Sequence, residues 1–276
     1  MNIIKNSESK RLLGKPMLLI GLCILIGILL QLWNVYLDLN MTFDVAKGSL
    51  EEHLTQNSVN ELKQMADGYH NSYIVWRDAL SGYELVIILL ACIPFSASYV
   101  IDKKTGFINN VLLRTNSRKY ILSKAIFNSI IGGLIVIIPS TIILIVSSMF
   151  LNNSVPKLSI YYPTGFFKSY FFSNINLYVL FYTTILFIIG MTYSTLSMAI
   201  GMLTENIILC LLCPSIFWYV GSILFESLGL NILAPWNIYY FNVEPSISFE
   251  YSLILTLLIF TVSNIYIYVK SKMEKI

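Results

Sequence analysis

The chain has 276 residues, of which 56% are hydrophobic and 12% charged, and its formal net charge is +3. A soluble domain of this length needs about a quarter of its residues charged, so the composition excludes one and leaves an integral membrane protein. The basic residues are divided among short segments beside apolar stretches, which excludes a nucleic-acid groove.

The first residues interleave Ile3, Ile4, Leu12 and Leu13 with Lys5, Lys10 and Arg11. That pattern predicts a helix at the inner membrane interface, drawn to anionic lipid by about 1 kcal/mol per basic residue, or else a plain topology signal. The apolar run Met17–Leu37 follows, long enough to span on the criterion of about 20 residues. No small-residue cleavage site follows Leu30, where the chain reads Gln31-Leu32-Trp33-Asn34, so this run is expected to stay as span one.

Residues 38–82 form an acidic insertion expected outside the cell, with seven carboxylates against three basic residues. Ser49-Leu50-Glu51-Glu52 and Ser58-Val59-Asn60-Glu61 each fit a capping box, which predicts two helices. In the second, Leu62, Met65, Ala66, Tyr69, Tyr73 and Trp76 recur at helical spacing, giving an apolar face for the membrane or for the outer ends of the spans. A structural cap and a recognition or gating element both fit it. His53 and His70 lie here without a metal-ligand pattern, and Glu51-Glu52-His53 has no partner ligands at membrane depth. A third box, Ser81-Gly82-Tyr83-Glu84, opens span two at Leu85–Ile101 and makes Glu84 a helix cap.

After span two comes a segment, 102–120, too long for a minimal connection and too apolar for an idle basic loop. Phe107, Ile108, Val111 and Leu112 can share one face of a short helix parallel to the membrane, among Asp102, Lys103, Lys104, Gly106, Arg114 and Arg118. Such a face suits a buried contact with a cytosolic protein. Span three, Ile121–Leu151, carries Asn128, Gly132, Gly133 and Pro139; span four, Ile175–Leu203, carries Gly190, Thr192, Ser194, Thr195, Ser197, Ala199 and Gly201. Small and hydroxyl residues of this kind pack helices closely or line a path.

Span five, Ile207–Phe225, contains Pro214, Ser215 and the pair Cys210 and Cys213, which read as small hydrophobes. Between it and span six, Tyr251–Val269, the stretch 226–250 includes Trp236, Tyr239 and Tyr240, aromatics of an interfacial or re-entrant segment that serve as anchors or as an extracellular gate.

Of the 18 Lys and Arg, only Lys47, Lys63, Arg77, Lys157 and Lys168 lie away from the N-terminus, the segment after span two and the C-terminus. The distribution places both termini in the cytoplasm and agrees with six spans. The span interiors carry no ionisable group of the sort that drives a secondary carrier, and no paired carboxylates, His cluster or activated nucleophile points to an enzyme. A path lined by aliphatic, aromatic and hydroxyl groups suits an amphipathic or hydrophobic cargo: a peptide, antimicrobial peptides included, a lipid or a drug. The Ile-, Asn- and Lys-rich usage points to a bacterium of low genomic GC content.

At Asp102, Lys103, Lys104, Gly106, Leu112, Leu113, Ser117, Arg118 and Lys124 the chain resembles the permease subunits of type-2 ABC exporters. That family ends span two with an acidic residue, basic residues and a glycine, continues through a short apolar helix and enters span three through a Ser-Arg or similar pair followed by a lysine. Asp102 stands where the family usually has glutamate. The resemblance implies a single all-α membrane domain over 1–276 with six spans, in which Gly106 to Arg114 is a coupling helix seated on a cytosolic ATPase. It also implies a second permease copy or paralogue. No phosphate-binding Gly-x-x-x-x-Gly-Lys-Ser/Thr occurs, so ATP and magnesium are expected in the partner ATPase and no cofactor in this chain. The expected setting is a bacterial plasma membrane, with lipids but no nucleic acid as further partners. The competing expectation is a sensor or immunity protein that binds a peptide through its outer helices without transporting it.

Overall fold

The computed structural model describes residues 15–51, 70–81, 83–112, 116–155, 162–165, 167–240 and 246–273. The interfacial helix expected before Lys15, the box at Ser58, Leu113 and Arg114 lie outside them, as does the side chain of Leu112. Among the described residues the chain forms ten α-helices and two 3-10 turns: α1 Lys15–Glu51, α2 Ser72–Leu80, α3 Glu84–Cys92, α4 Ser98–Lys104, α5 Phe107–Leu112, α6 Ser117–Phe150, α7 Lys168–Ser173, α8 Ile175–Thr204, α9 Ile207–Ser227 and α10 Ser246–Met273, with the turns Asn231–Leu233 and Pro235–Ile238 between α9 and α10. Five helices among these residues are long and apolar enough to cross a membrane, in α1, α6, α8, α9 and α10. The protein is therefore an all-α, multi-pass membrane protein.

Asparagine starts four of the helices. Asn71 accepts from the Tyr73 and Ile74 amides at α2, Asn116 from Arg118 at α6, Asn174 from Leu177 at α8 and Asn206 from Ile208 at α9. Each replaces a bond that the first helical turn lacks, and the short side chain tolerates the extended backbone of a cap. The serine boxes behave otherwise. Ser49 lies inside α1, which continues to Glu51, and Ser81 ends α2, its amide bonding the carbonyls of Arg77 and Asp78. Tyr83, with no side-chain cap bond, precedes α3.

The stretch expected as one span over Leu85–Ile101 is broken into α3 and α4 by a turn at 93–97. Pro94 is the physical cause, since it lacks an amide proton and its ring clashes with the preceding turn. Ser96, fully buried at the break, bonds the Ser194 carbonyl (3.2 Å) and the Asn128 side chain (3.3 Å). Irregular backbone at such depth is tolerated because protein, not lipid, surrounds it. Ile87, Ile88, Cys92 and Tyr99 are completely buried, so this stretch is the core around which α6, α8 and α9 pack.

Residues 72–104 run antiparallel to α6 along its whole length. Ser72 meets Asn152 and Asn153, Trp76 bonds Ser140 (2.8 Å), Ser96 meets Asn128, and Asp102 meets Tyr120 and Lys124. At about 1.5 Å per residue the 34 residues of α6 extend ~50 Å, more than a bilayer core. Trp76 is 2% exposed, so the part of the acidic insertion over 72–80 is packed between α1 and α6 instead of resting on the ends of the spans.

The closest helix contact is between α6 and α8. A Cβ on Gly190 would lie 2.6 Å from the Gly132 carbonyl oxygen and 2.9 Å from the Gly133 Cα, while one on Gly132 would overlap the Ser194 side chain. Pro139 does not interrupt α6; it packs against Gly27 of α1. Leu18, Leu22, Leu25 and Leu29 on α1, and Ile216, Val220 and Ile223 on α9, face outward for lipid or a second chain.

Candidate functional site

Two regions gather the chemistry: the end bearing Lys103, Lys104, Arg118, Lys119, Lys270 and Lys272, here the basic end, and the aromatic far end around Glu84. At the basic end, α4 stops because Thr105 and Gly106 turn back, with the Gly106 amide on the Lys103 carbonyl (3.1 Å) and Gly106 at φ +68°. A left-handed residue there sends α5 off at once, and glycine adopts it without strain. Asp102, 2% exposed, accepts hydrogen bonds from the Tyr120 hydroxyl (2.5 Å) and the Lys124 ammonium, and Lys124 also reaches the Tyr120 oxygen (3.2 Å). These bonds fix the end of α4 to the first turns of α6. They also place an ionised pair one turn inside the expected span three, whose interior had read as charge-free.

Among the residues expected on a docking face, Ile108 is 7% exposed and packs with Tyr99, Val100, Ile121, Met198 and Ile267; Val111 leans on the same cluster. They anchor α5 inward. Phe107 is half-buried, while Lys103, Lys104, Thr105, Arg118 and Lys119 are exposed, so among the described residues the outward surface of this segment is basic more than apolar. Lys103 pairs with Glu205 (2.6 Å), which ends α8 in a left-handed turn at φ +53°. The Lys103 hydrogen bond and charge hold the Glu205 carboxyl below its ordinary range. Arg118 donates to the Tyr268 hydroxyl (2.6 Å) and lies over its ring at 4.5 Å, with Lys272 also over that ring at 4.7 Å. Thus α4, α6, α8 and α10 are joined at one end by charged and aromatic contacts.

The residues expected to line a path or to pack helices are buried in this structure. Thr192, Ser194, Thr195 and Ser197 are buried, as is Asn128. The Asn128 amide donates to the Ser194 carbonyl (2.7 Å), the Thr195 hydroxyl to Met191 (2.7 Å) and the Ser197 hydroxyl to the Cys210 carbonyl (2.5 Å). Cys210 is itself buried against Ser197, and both it and Cys213 are free thiols.

At the far end two of the candidate gate residues, Tyr239 and Tyr240, reach α2 and α3, and the third, Trp236, reaches α9. Trp236 donates from its indole to Glu226 (2.7 Å), Tyr239 from its hydroxyl to the Leu80 carbonyl (2.6 Å) and Tyr240 from its hydroxyl to Glu84. Tyr219 of α9 donates to the Glu84 carbonyl oxygen (2.5 Å). Tyr182 donates to the Tyr239 carbonyl (3.5 Å) and meets Trp76 edge-on, with ring centroids 5.1 Å apart.

Glu84, read from the sequence as a cap, is 5% exposed. Its carboxylate takes the Tyr240 hydroxyl, and no cation approaches it among the described residues. Its position in the first turn of α3 recovers up to ~2 kcal/mol from the helix dipole, against a burial penalty of several kcal/mol for an ion. The cap role accounts for only part of its cost. Nearby, Asp78 and Arg77 form a pair at 3.5 Å; burial pushes the Asp78 carboxyl up to about 6, Asp38 adds to the rise and Arg77 opposes it. Sequence reasoning placed Arg77 and Asp78 in the outer insertion and missed Tyr219 and Tyr182. The available signal was Pro94, which marks the preceding residues as core because a broken helix in a membrane must be enclosed.

No group of three or more metal-ligating side chains occurs among the described residues. Neither a family of known proteins, nor a curated protein, nor a solved structure matches this chain.

Proposed function

We propose that the chain is the permease subunit of an ATP-driven exporter of the type-2 ABC kind. In this reading residues 84–104 are a sixth, broken traverse, both termini lie in the cytoplasm of a bacterial cell, and the basic end faces a cytosolic ATPase. ATP and magnesium belong to that separate polypeptide. A second copy or a paralogue completes the path across the plasma membrane for an amphipathic or hydrophobic cargo, a peptide, lipid or drug.

The observation that carries the proposal is the build of residues 102–112 and 116–120. A short helix leaves the broken traverse at a left-handed glycine, is anchored inward by Ile108, and is tied through Asp102 to the start of α6, with Lys103, Lys104, Arg118 and Lys119 outward. A rigid lever with a charged outer surface suits the transmission of force from a soluble motor. Movement of α5 would reach α6 through Asp102, and α8 through the Lys103 and Glu205 pair, giving the rigid-body rocking that alternating access requires. The inward Ile108 gives the contact a basic character, with Phe107 as its apolar part.

The test is affinity purification of the tagged protein from its native membrane in mild detergent, with mass spectrometry and an ATPase assay. A stoichiometric nucleotide-binding subunit and vanadate-sensitive hydrolysis are expected. Reproducible absence of such a subunit overturns the proposal in favour of the sensor or immunity reading.

A further inference from the structure

We propose that Glu84 and the tyrosines around it form a recognition site for an amphipathic organic cation, an onium centre carried on an apolar body. Glu84 is a carboxylate with one-twentieth of its surface exposed and, among the described residues, no basic residue against it. Arg77, the cation on the adjoining helix, is paired with Asp78. An ionisable group enclosed in this way marks a functional position, and the partner it lacks is a cation.

The surroundings fit that partner. Tyr240 touches the carboxylate and Tyr219 touches the backbone of the same residue, while Tyr239 meets the Tyr240 ring edge-on at 5.6 Å and Tyr182 bonds the Tyr239 carbonyl. Aromatic faces add attraction for a desolvated cation without adding charge. Tyr240, whose hydroxyl now occupies the carboxylate, is 39% exposed. A cation arriving there replaces a neutral hydroxyl contact with an opposite charge in a desolvated setting, where the attraction is stronger than in water. The apolar body of such a molecule would meet the outward Leu and Ile faces of α9. The groups beside Glu84 are Tyr219 from α9 and Tyr240 from the segment before α10, with Tyr239 and Tyr182 of α8 behind them. The proposal rests on the permease reading only in calling the bound cation cargo.

The probe pair is tetraphenylphosphonium and tetraphenylborate, ions of matched size and opposite charge. Binding is measured by equilibrium dialysis on the full chain in phosphatidylcholine nanodiscs, with empty discs subtracted and without any ATPase. Saturable binding of the phosphonium and none of the borate is expected. Glu84→Gln, which keeps the shape, should weaken phosphonium binding by about tenfold or more. Tyr240→Phe, which removes the hydroxyl and leaves the carboxylate and the ring, should stay within about threefold of wild type. Equal binding by Glu84→Gln, equal binding of the borate, or absence of saturable phosphonium binding overturns the proposal. So does a loss in Tyr240→Phe as large as that in Glu84→Gln, which would reduce the pair to a structural latch. Because no ATPase takes part, failure here leaves the ATPase partnership standing, and failure to recover an ATPase leaves this binding measurable.

Discussion

Charged residues in this chain differ in worth according to where the fold puts them. Asp102 and Lys124 are 3% and 11% exposed at their side chains, whereas Lys103 and Glu205 are 37% and 51% exposed. Lys124→Met takes the ammonium away from the buried Asp102 carboxylate, and should cost on the order of 3–5 kcal/mol of stability in detergent, read by thermal denaturation. Lys103→Met should cause little measurable change, because the pair it breaks is screened by water. Asp78 has the opposite sign. Its carboxyl is raised to about 6 from an ordinary value near 4, so the folded state holds the proton more tightly than the unfolded chain does. The favourable contribution is full below about pH 4 and is lost as pH rises through about 6. Asp78→Asn should therefore stabilise the protein by ~2 kcal/mol at pH 8 relative to wild type, and the difference should vanish near pH 4. A pH-independent difference would remove Asp78 as its source.

Helices here are held less by apolar stripes than by where they can approach. The contact of α6 with α8 depends on glycine at 132, 133 and 190, because a side chain at 190 would meet backbone, which cannot move aside. Gly190→Ala should destabilise by ~2 kcal/mol or more as the two helices are forced apart. Gly221→Ala on α9, whose new methyl would have 3.7 Å to its nearest neighbour, should be neutral or stabilise by up to ~1 kcal/mol through better helix propensity. Equal effects at the two positions would mean that the close crossing does not govern stability. The broken pair α3 and α4 shows the same rule from the other side: Pro94 ends one helix, and Ser96 turns inward to satisfy the exposed groups of its neighbours.

At the scale of the molecule, one end is tied by charge and the other by aromatic hydroxyls. The basic end joins α4, α6, α8 and α10 through Asp102, Lys103 and Arg118, and the far end joins α2, α3, α8 and α9 through Tyr182, Tyr219, Tyr239 and Tyr240. A motor acting on the basic end has a continuous route to the far one along α6 and the antiparallel stretch 72–104. Phe107→Asp combined with Leu112→Asp should abolish recovery of the ATPase while the protein still inserts in the membrane. Undiminished recovery would sink the coupling assignment. The apolar faces left on α1 and α9 are consistent with lipid or with a second chain, and they lie apart from both ends.

Membrane residence, helical class and the approximate ends of α6, α8 and α9 were legible in the residues, because apolar length is a local property. The basic connection at 102–120 was legible for the same reason. The interior placement of Trp76, the break at Pro94, the inward turn of Ile108 and the enclosure of Glu84 were not, since each depends on which helix lies alongside. An apolar face in a chain that is more than half apolar carries no address: lipid, a neighbouring helix and a second protein all accept it. Hydrogen bonds and charge supply the address, and they come from residues far apart in the chain, such as Asp102 with Lys124, Trp76 with Ser140 and Glu84 with Tyr240. Their pairing exists only once the helices have packed.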